Sequence, residues 1–280
     1  MLAVLEITDL FQINVNQDLI LIFGTDSREH PGVREEIGRS RRRFGAKILA
    51  YHPAALTRHP LYRTPAQVRE LKAKLGLAAL AGFQTRNAVH RAHEHLIRIA
   101  MELAGGVLIQ PLIGKRKAGD FTGEAIVRSY EVFIGRFLPA DRVIFSPWHT
   151  VMRYAGPREA ALHMLVRRNF GCDYFVLGRD QAGVGDFYGK YEAQEFCETL
   201  SIPGIRPLAL AGPFYCSICK DIVSERTCQH DETAPDAIVE ISGTMIRKLL
   251  LAGEKPPPYL MRPEVADSLL AISETKEIFL

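Results

Sequence analysis

The sequence predicts an α/β protein whose core is a mostly parallel, doubly wound sheet. From about residue 77 onward, short apolar runs alternate with segments of helical periodicity, the grammar of βαβ units. The helical segments between the runs are long enough to carry a crossover from one parallel strand to the next. Two polar clusters, QTRN at 84–87 and GRDQAG at 178–183, directly follow apolar runs. Sheets of this kind place their ligands in that position, beyond the carboxyl ends of the strands.

The elements follow in order. Residues 1–58 hold three β-like runs, LAVLEI, LILIFG and AKILAY, with GTDSREHPGV read as a loop on its Gly and Pro-Gly. LAALAGF is a strand. Val89, Ala92, Leu96, Ile99 and Leu103 then recur at helical spacing up to Gly105-Gly106. GVLIQPLIG is a strand, 123–137 a helix, RVIFSPW a strand, 157–169 a helix and DYFVLG a strand. In ISGTMIRKLL, 241–250, Ser242 or Thr244 caps a helix start. KPPP at 255–258 is a turn.

Composition excludes several classes. The 280 residues are 47% apolar, enough for one large core or two smaller ones. No run approaches the roughly 18 apolar residues of a membrane span, and the opening MLAVLEITDLFQINVNQDL is too acidic and polar for a signal peptide. Lys and Arg number 35 against 32 Asp and Glu, and RSRRR at 39–43 is the only dense basic run. That run reads as a solvated face, since nucleic-acid binding asks for a broad basic stripe with aromatics. Five cysteines do not make a disulfide scaffold in a chain of this length. A cytoplasmic protein with no membrane or nucleic-acid partner is expected, leaving small anions as ligands.

Four clusters carry chemistry. His90 and His93 fall one helical turn apart near a helix start, where exposed N–H groups and the dipole favour an anion; alone, the pair reads more readily as ordinary surface histidines. Gln84, Arg86 and Asn87 precede them with amide donors and a planar guanidinium fork suited to a tetrahedral oxyanion. Arg179, in GRDQAG, offers a second guanidinium from a second strand end. Ser242, Gly243 and Thr244 open a helix that carries Arg247 one turn in, a second place for phosphates. Cys216-x2-Cys219 followed by Cys228 and His230 has the pattern of a closed, structural zinc site, with Asp231 the substitute for its fourth ligand.

Together these segments resemble the ATP sulfurylase (sulfate adenylyltransferase) family. QTRNAVHRAHE, RYAGPREA, GRDQAGVGDFYG, ISGTMIR and MRPEV are similar to its signatures, from about residue 60 to the end, and EHPGV at 29–33 is similar to a segment of its N-terminal domain. More distantly, H-x-x-H with I-S-G-T-x-x-R resembles the wider nucleotidylyltransferase superfamily. The resemblance implies a remnant of a PUA-like β domain at 1–58, a Rossmann-like nucleotidylyltransferase core at 59–206, and a zinc-containing α/β part with the ISGT segment at 207–280. It implies ATP and sulfate as substrates, adenylyl sulfate and pyrophosphate as products, Mg2+ with the ATP, structural Zn2+ and a homodimer. Thr85, Arg86 and Asn87 would be catalytic. Gln84, Arg86, Arg179 and the backbone at Ala182 would hold sulfate, while Asn87, His90, His93, Gly178, Ser242, Gly243 and Thr244 would hold ATP. Two positions depart from the family pattern: Ala88 stands for its Pro and Gln181 for its His. The alternatives are an adenylyltransferase for another acceptor and a non-catalytic nucleotide-binding relative.

Overall fold

The computed structural model describes residues 2–52 and 59–280. In chain order the elements are β1 (Ala3–Gln12), α1 (Val15–Phe23), α2 (Pro31–Ile37), β2 (Arg42–Tyr51), α3 (Pro65–Lys74), β3 (Ala81–Phe83), α4 (Arg91–Ala104), β4 (Val107–Ile109) and α5 (Gly123–Phe137). There follow β5 (Val143–Phe145), α6 (Gly156–Asn169), β6 (Tyr174–Leu177), α7 (Glu192–Thr199), β7 (Arg206–Ala209), β8 (Phe214–Cys216), β9 (Asp221–Val223), α8 (His230–Thr233), β10 (Ile238–Glu240), α9 (Gly243–Leu251) and α10 (Pro263–Ser273). The chain forms two units: residues 1–62, 153–163 and 180–200 make the first, and 63–152, 164–179 and 201–280 the second. The division therefore interleaves along the chain, in contrast to three consecutive segments. The expected boundary at 58 falls at the edge of 53–58, which lie outside the described residues.

In the first unit, β1 and β2 pair antiparallel. Leu5, Ile7, Phe11, Phe44, Ile48 and Leu49 stay exposed on this ribbon, and the consecutive Ile48 and Leu49 point to opposite faces. The run LILIFG is not a strand. It is the second half of α1, because the Asn14 side chain accepts from Gln17 N–H, Gly24 closes the helix at φ 69°, and Leu19 and Phe23 share a buried face with Val33 and Ala155. Local capping and i,i+4 burial override the β-like composition.

The loop through EHPGV ends at His30, and Pro31–Val33 already belong to α2. His30 caps α2, its Nδ1 accepting from the N–H groups of Gly32 and Val33 at 3.1 and 3.3 Å. The neutral ring then carries its proton on Nε2, which donates to the Tyr154 carbonyl at 3.0 Å. Gly32 is required by space: a Cβ there would strike the Arg153 carbonyl and come within 2.6 Å of the Phe23 ring. Gly32→Ala is expected to destabilise the protein by about 1–3 kcal/mol, read as a lowered midpoint of thermal unfolding. RYAGPREA also gains a physical account. The buried carboxylate of Glu159 accepts from the N–H groups of Arg153 and Ala155, at 2.9 and 3.1 Å, and holds the turn in which Tyr154 adopts φ 62°. RSRRR is a charge-paired surface, with Arg39 and Arg43 on Glu35 and Glu36.

The second unit holds the doubly wound sheet. Its five strands lie in the order β5-β4-β3-β6-β7, all parallel. The order reverses between β3 and β6, so their carboxyl ends flank the topological switch point. The sheet and its helices bury one core, in which Ile97, Ile109, Ile126, Phe133 and Leu269 are nearly inaccessible. A smaller antiparallel sheet, β10-β8-β9, leads through β10 into α9.

Candidate active site

The segment after β3 builds the centre of the site. Leu112 N–H donates to the Thr85 carbonyl, so ladder-like pairing persists two residues past β3 and fixes Gln84 and Thr85, both buried. Thr85 Oγ1 accepts from Asn87 N–H at 3.1 Å and lies 3.2 Å from His93 Nε2. The Gln84 Oε1 atom is buried without a hydrogen-bond partner. His90 is not inside the helix. It is the N-cap residue of α4, extended at φ −136°, with Nδ1 accepting from His93 N–H at 3.4 Å. Its ring stacks on that of His93, centroids 3.6 Å apart, so the two imidazoles form one pile over the helix start. Ala88 precedes the cap by two residues and packs in the core; the helix entry is set by the His90 cap, with no need for Pro at that place.

Both histidines are neutral. Burial, followed by the repulsion that a second charge on His93 would bring and by the charge of Arg179, holds His90 well below its ordinary value. His93 Nδ1 is likewise buried, and that burial lowers the pKa to about 3. With Nδ1 of His90 accepting, its proton resides on Nε2 and makes that atom a neutral donor. The folded state resists protonation, so this stability is complete above the unfolded value near 6.5 and drains away as pH falls below it. For His93 the loss at pH 5 amounts to about 2 kcal/mol. The unfolding midpoint is expected to drop between pH 7 and pH 5, and His93→Gln to flatten that slope; equal slopes would remove His93 as its source.

A second arm is organised by Asp120, a residue the sequence did not single out. Asp120 is completely buried and carries an ion pair to Arg247 at 3.1 Å and a longer contact to Arg86 at 4.0 Å. Arg247 also donates to Asn87 Oδ1 at 3.4 Å and to Thr244 Oγ1 at 3.1 Å. Thus one carboxylate organises QTRN and ISGTMIR together. Ser242 caps α9, accepting from Met245 N–H. A Cβ on Gly243 would sit 3.0 Å from the Asn87 amide, which explains the glycine: α9 begins against Asn87. Asp120 left no signal in the sequence, since GDFTGE has neither periodicity nor a repeated ligand spacing.

Arg179, two residues past β6, packs on Gly212 and pairs with Glu240 at 3.0 Å. Gly178 is buried, and a Cβ there would meet the Leu96 side chain at 3.3 Å. Ala182 belongs to the first unit, at φ 61°. Glu94, on α4, is a further buried carboxylate. Arg262 grips it through Nε and Nη2 at 2.9 and 2.7 Å, with Arg91 and Arg98 alongside. Burial pushes its pKa up, but these arginines outweigh burial and leave it below the usual value. This pairing gives MRPEV its role: it ties the C-terminal segment to the helix that His90 caps.

One group of cysteine and histidine ligands stands out among the described residues. Cys216, Cys219, Cys228 and His230 bring their ligand atoms within 4.8 Å of one another. Cys219 Sγ lies 3.8 Å from Cys228 Sγ, and His230 Nδ1 lies 3.5, 3.3 and 3.6 Å from the three sulfurs. A tetrahedral ion with bonds of about 2.0–2.3 Å needs edges of roughly 3.5–3.8 Å, so the donor set fits one and can hold a metal. His230, not Asp231, completes it.

The chain is similar to proteins that are already known. The ATP-sulfurylase family profile matches residues 59–272. A sulfate adenylyltransferase from Halothermothrix orenii is 40% identical over 96% of this chain and 70% of its own length. One from Ignicoccus hospitalis is 38% identical over 98% of this chain and 71% of its length. Among solved structures, a hexameric APS kinase from Thiobacillus denitrificans aligns with TM-score 0.62 at 23% identity, covering 96% of this chain and 46% of that one; this likeness concerns the fold. Matched across both its sheet and its loop signatures, the chain belongs to the ATP-sulfurylase family.

Proposed function

We propose that the protein is a sulfate adenylyltransferase, joining ATP and sulfate into adenylyl sulfate and pyrophosphate, a reaction that also runs in reverse. The observation that carries this reading is the convergence on one buried carboxylate, Asp120, of Arg86 from QTRN and Arg247 from ISGTMIR. It brings the two proposed anion-binding segments together. Gln84, Arg86 and Arg179 bind sulfate, and the family resemblance adds the backbone at Ala182. Asn87, His90, His93, Gly178, Ser242, Gly243 and Thr244 bind the nucleotide, which arrives with Mg2+ as its counter-ion. Thr85, Arg86 and Asn87 form the catalytic strip between them.

Sulfate is already an anion at neutral pH, so the step needs no general base. One sulfate oxygen forms a bond to the α-phosphorus, the bond to the bridging oxygen breaks, and its electron pair leaves with pyrophosphate. The obstacle is bringing two anions together and stabilising charge on the phosphoryl and leaving oxygens. Arg86 and Arg179 orient the nucleophile. Neutral His90, donating through Nε2, and the N–H groups at the start of α9 receive the phosphates. The test is pyrophosphate release from ATP with sulfate against phosphorylated acceptors. Sulfate-dependent release supports the reading; release with a phosphate ester alone indicates another acceptor, and adenylyl sulfate binding without turnover indicates a non-catalytic relative.

The metal is proposed to be Zn2+ in a structural role. Cys216 is paired with Ile238 in β10, which runs on to the Ser242 cap, so the ion would brace the strand that delivers α9. Sites of this type contribute about 10–16 kcal/mol in isolated peptides. Stripping it with a strong chelator is expected to release one Zn2+ per chain and to raise the KM for ATP before that for sulfate. A metal-free protein with unchanged KM values would count against this role.

A homodimer is also proposed, supported by the exposed apolar side chains on both faces of the β1–β2 ribbon; light scattering reads its mass. No helix among the described residues is long and apolar enough to cross a membrane. A cytoplasmic location is proposed, in keeping with the buried free thiols of Cys172 and Cys197.

A further inference from the structure

Arg167, on α6, is fully buried in the second unit. Its Nη2 donates to the Gln110 carbonyl at 3.2 Å, while Nε and Nη1 meet no acceptor. Two aromatic rings flank it, with the guanidinium 4.8 Å from the Trp148 ring centre and 5.7 Å from that of Phe175. Gln110, also fully buried, keeps both side-chain amide atoms without partners. A bare buried cation is costly, ring faces recover only part of that cost, and unmade buried hydrogen bonds add to it.

The position of this unbalanced group is informative. A Cβ on Gly82 would lie 2.5 Å from Arg167 Cγ, so the side chain crosses β3 at Gly82. It then reaches the Gln110 carbonyl, two residues along from Leu108, the partner of Gly82. Gln84 follows Gly82 by two residues and shares its face of the strand. The guanidinium therefore lies at the level of Gln84, whose Oε1 is buried and unmatched. Donors without acceptors and an acceptor without a donor thus share one face of β3.

We infer that Arg167 is a positioning residue for the anion site: its buried positive charge, with the Gln110 amide beside it, draws the Gln84 carbonyl inward and turns the Gln84 NH2 toward sulfate. Burial lowers the Arg167 pKa to about 9, so the group stays charged at neutral pH. The inference rests on the reading of Gln84 as a sulfate ligand.

Arg167→Met, Arg167→Lys and Gln110→Met are to be compared with the wild type by initial rates, varying sulfate and ATP separately, with thermal unfolding alongside. Arg167→Met is expected to raise the KM for sulfate about tenfold, which corresponds to ~1.4 kcal/mol. The KM for ATP should hold, and Lys should restore part of the loss. A purely structural Arg167 would lower the unfolding midpoint and leave the ratio of the two KM values unchanged. A folded Arg167→Met with the wild-type KM for sulfate overturns the inference. If Arg167→Met does not fold, Gln110→Met decides, an unchanged KM for sulfate counting against it. If the wild type itself shows no sulfate-dependent turnover, the functional reading fails separately. Sulfate binding by calorimetry then decides: weaker binding to Arg167→Met upholds the positioning role, and equal or absent binding in both ends it.

Discussion

Arg86→Ala is expected to abolish nearly all sulfate-dependent pyrophosphate release while leaving the fold intact. Removing a charged donor from a site that stabilises developing anionic charge costs about 10²–10³ in rate, or roughly 3–4 kcal/mol. The loss should be borne in kcat as well as in the KM for sulfate, because this guanidinium is proposed both to hold the nucleophile and to offset charge as it attacks. The fold should survive for a specific reason. Arg86 reaches Asp120 only at 4.0 Å, whereas Arg247 holds the same carboxylate at 3.1 Å, so the truncation does not orphan a buried charge. Initial rates with ATP and sulfate, checked by circular dichroism, make the comparison. A variant that folds and turns over at the wild-type rate would remove Arg86 from the site.

The second large effect is on stability. Glu94→Ala takes away the carboxylate that neutralises Arg91, Arg98 and Arg262. Losing one partner of a buried ion pair costs about 3–5 kcal/mol. Here the arginine side chains keep 22%, 47% and 33% of their surface in water, so part of their charge can be resolvated and about 3 kcal/mol is expected. For a chain of this size that corresponds to a fall of roughly 6–12 °C in the unfolding midpoint, read by calorimetry at pH 7. Arg91 N–H also donates to the Leu260 carbonyl, so loosening this clamp frees the start of α4. The expected sequel is a weaker grip on ATP, smaller than the stability loss. An unchanged midpoint would mean that the three arginines do not depend on Glu94.

The composition of the candidate site was largely legible in the chain, because the anion binding proposed for it calls for particular residue types at fixed places. QTRN and GRDQAG could be put at strand ends by apolar periodicity alone, and the structure sets them after adjacent parallel strands, β3 and β6. The Cys-x2-Cys spacing announced a metal site by itself, since two thiolates on one tight turn have few other uses. Helices 123–137 and 157–169 were read to within a residue from their periodicity.

Local misreadings arose where caps were decisive. LILIFG had β-like composition, yet Asn14 and Gly24 bound a helix around it. His90 fell into the helical pattern but stands outside the helix as its cap, which changes the pair from two histidines on one helix face to a stacked, neutral couple. Their neutrality is a tertiary property: it comes from burial, which a sequence does not display.

What the sequence by itself determined was therefore the α/β class, the strand-end placement of the proposed anion-binding residues, and the cysteine-histidine set that can hold a metal. These follow from periodicity and spacing, which are short-range quantities. Only the tertiary structure decided which charges meet. Asp120 joins Arg86 to Arg247 across more than a hundred residues of chain, Glu94 gathers Arg262 from the far C-terminal segment, and Arg167 is left in the core without an acid among the described residues. Coulombic and desolvation energies depend on distance and burial in three dimensions, and neither quantity is written in the order of residues.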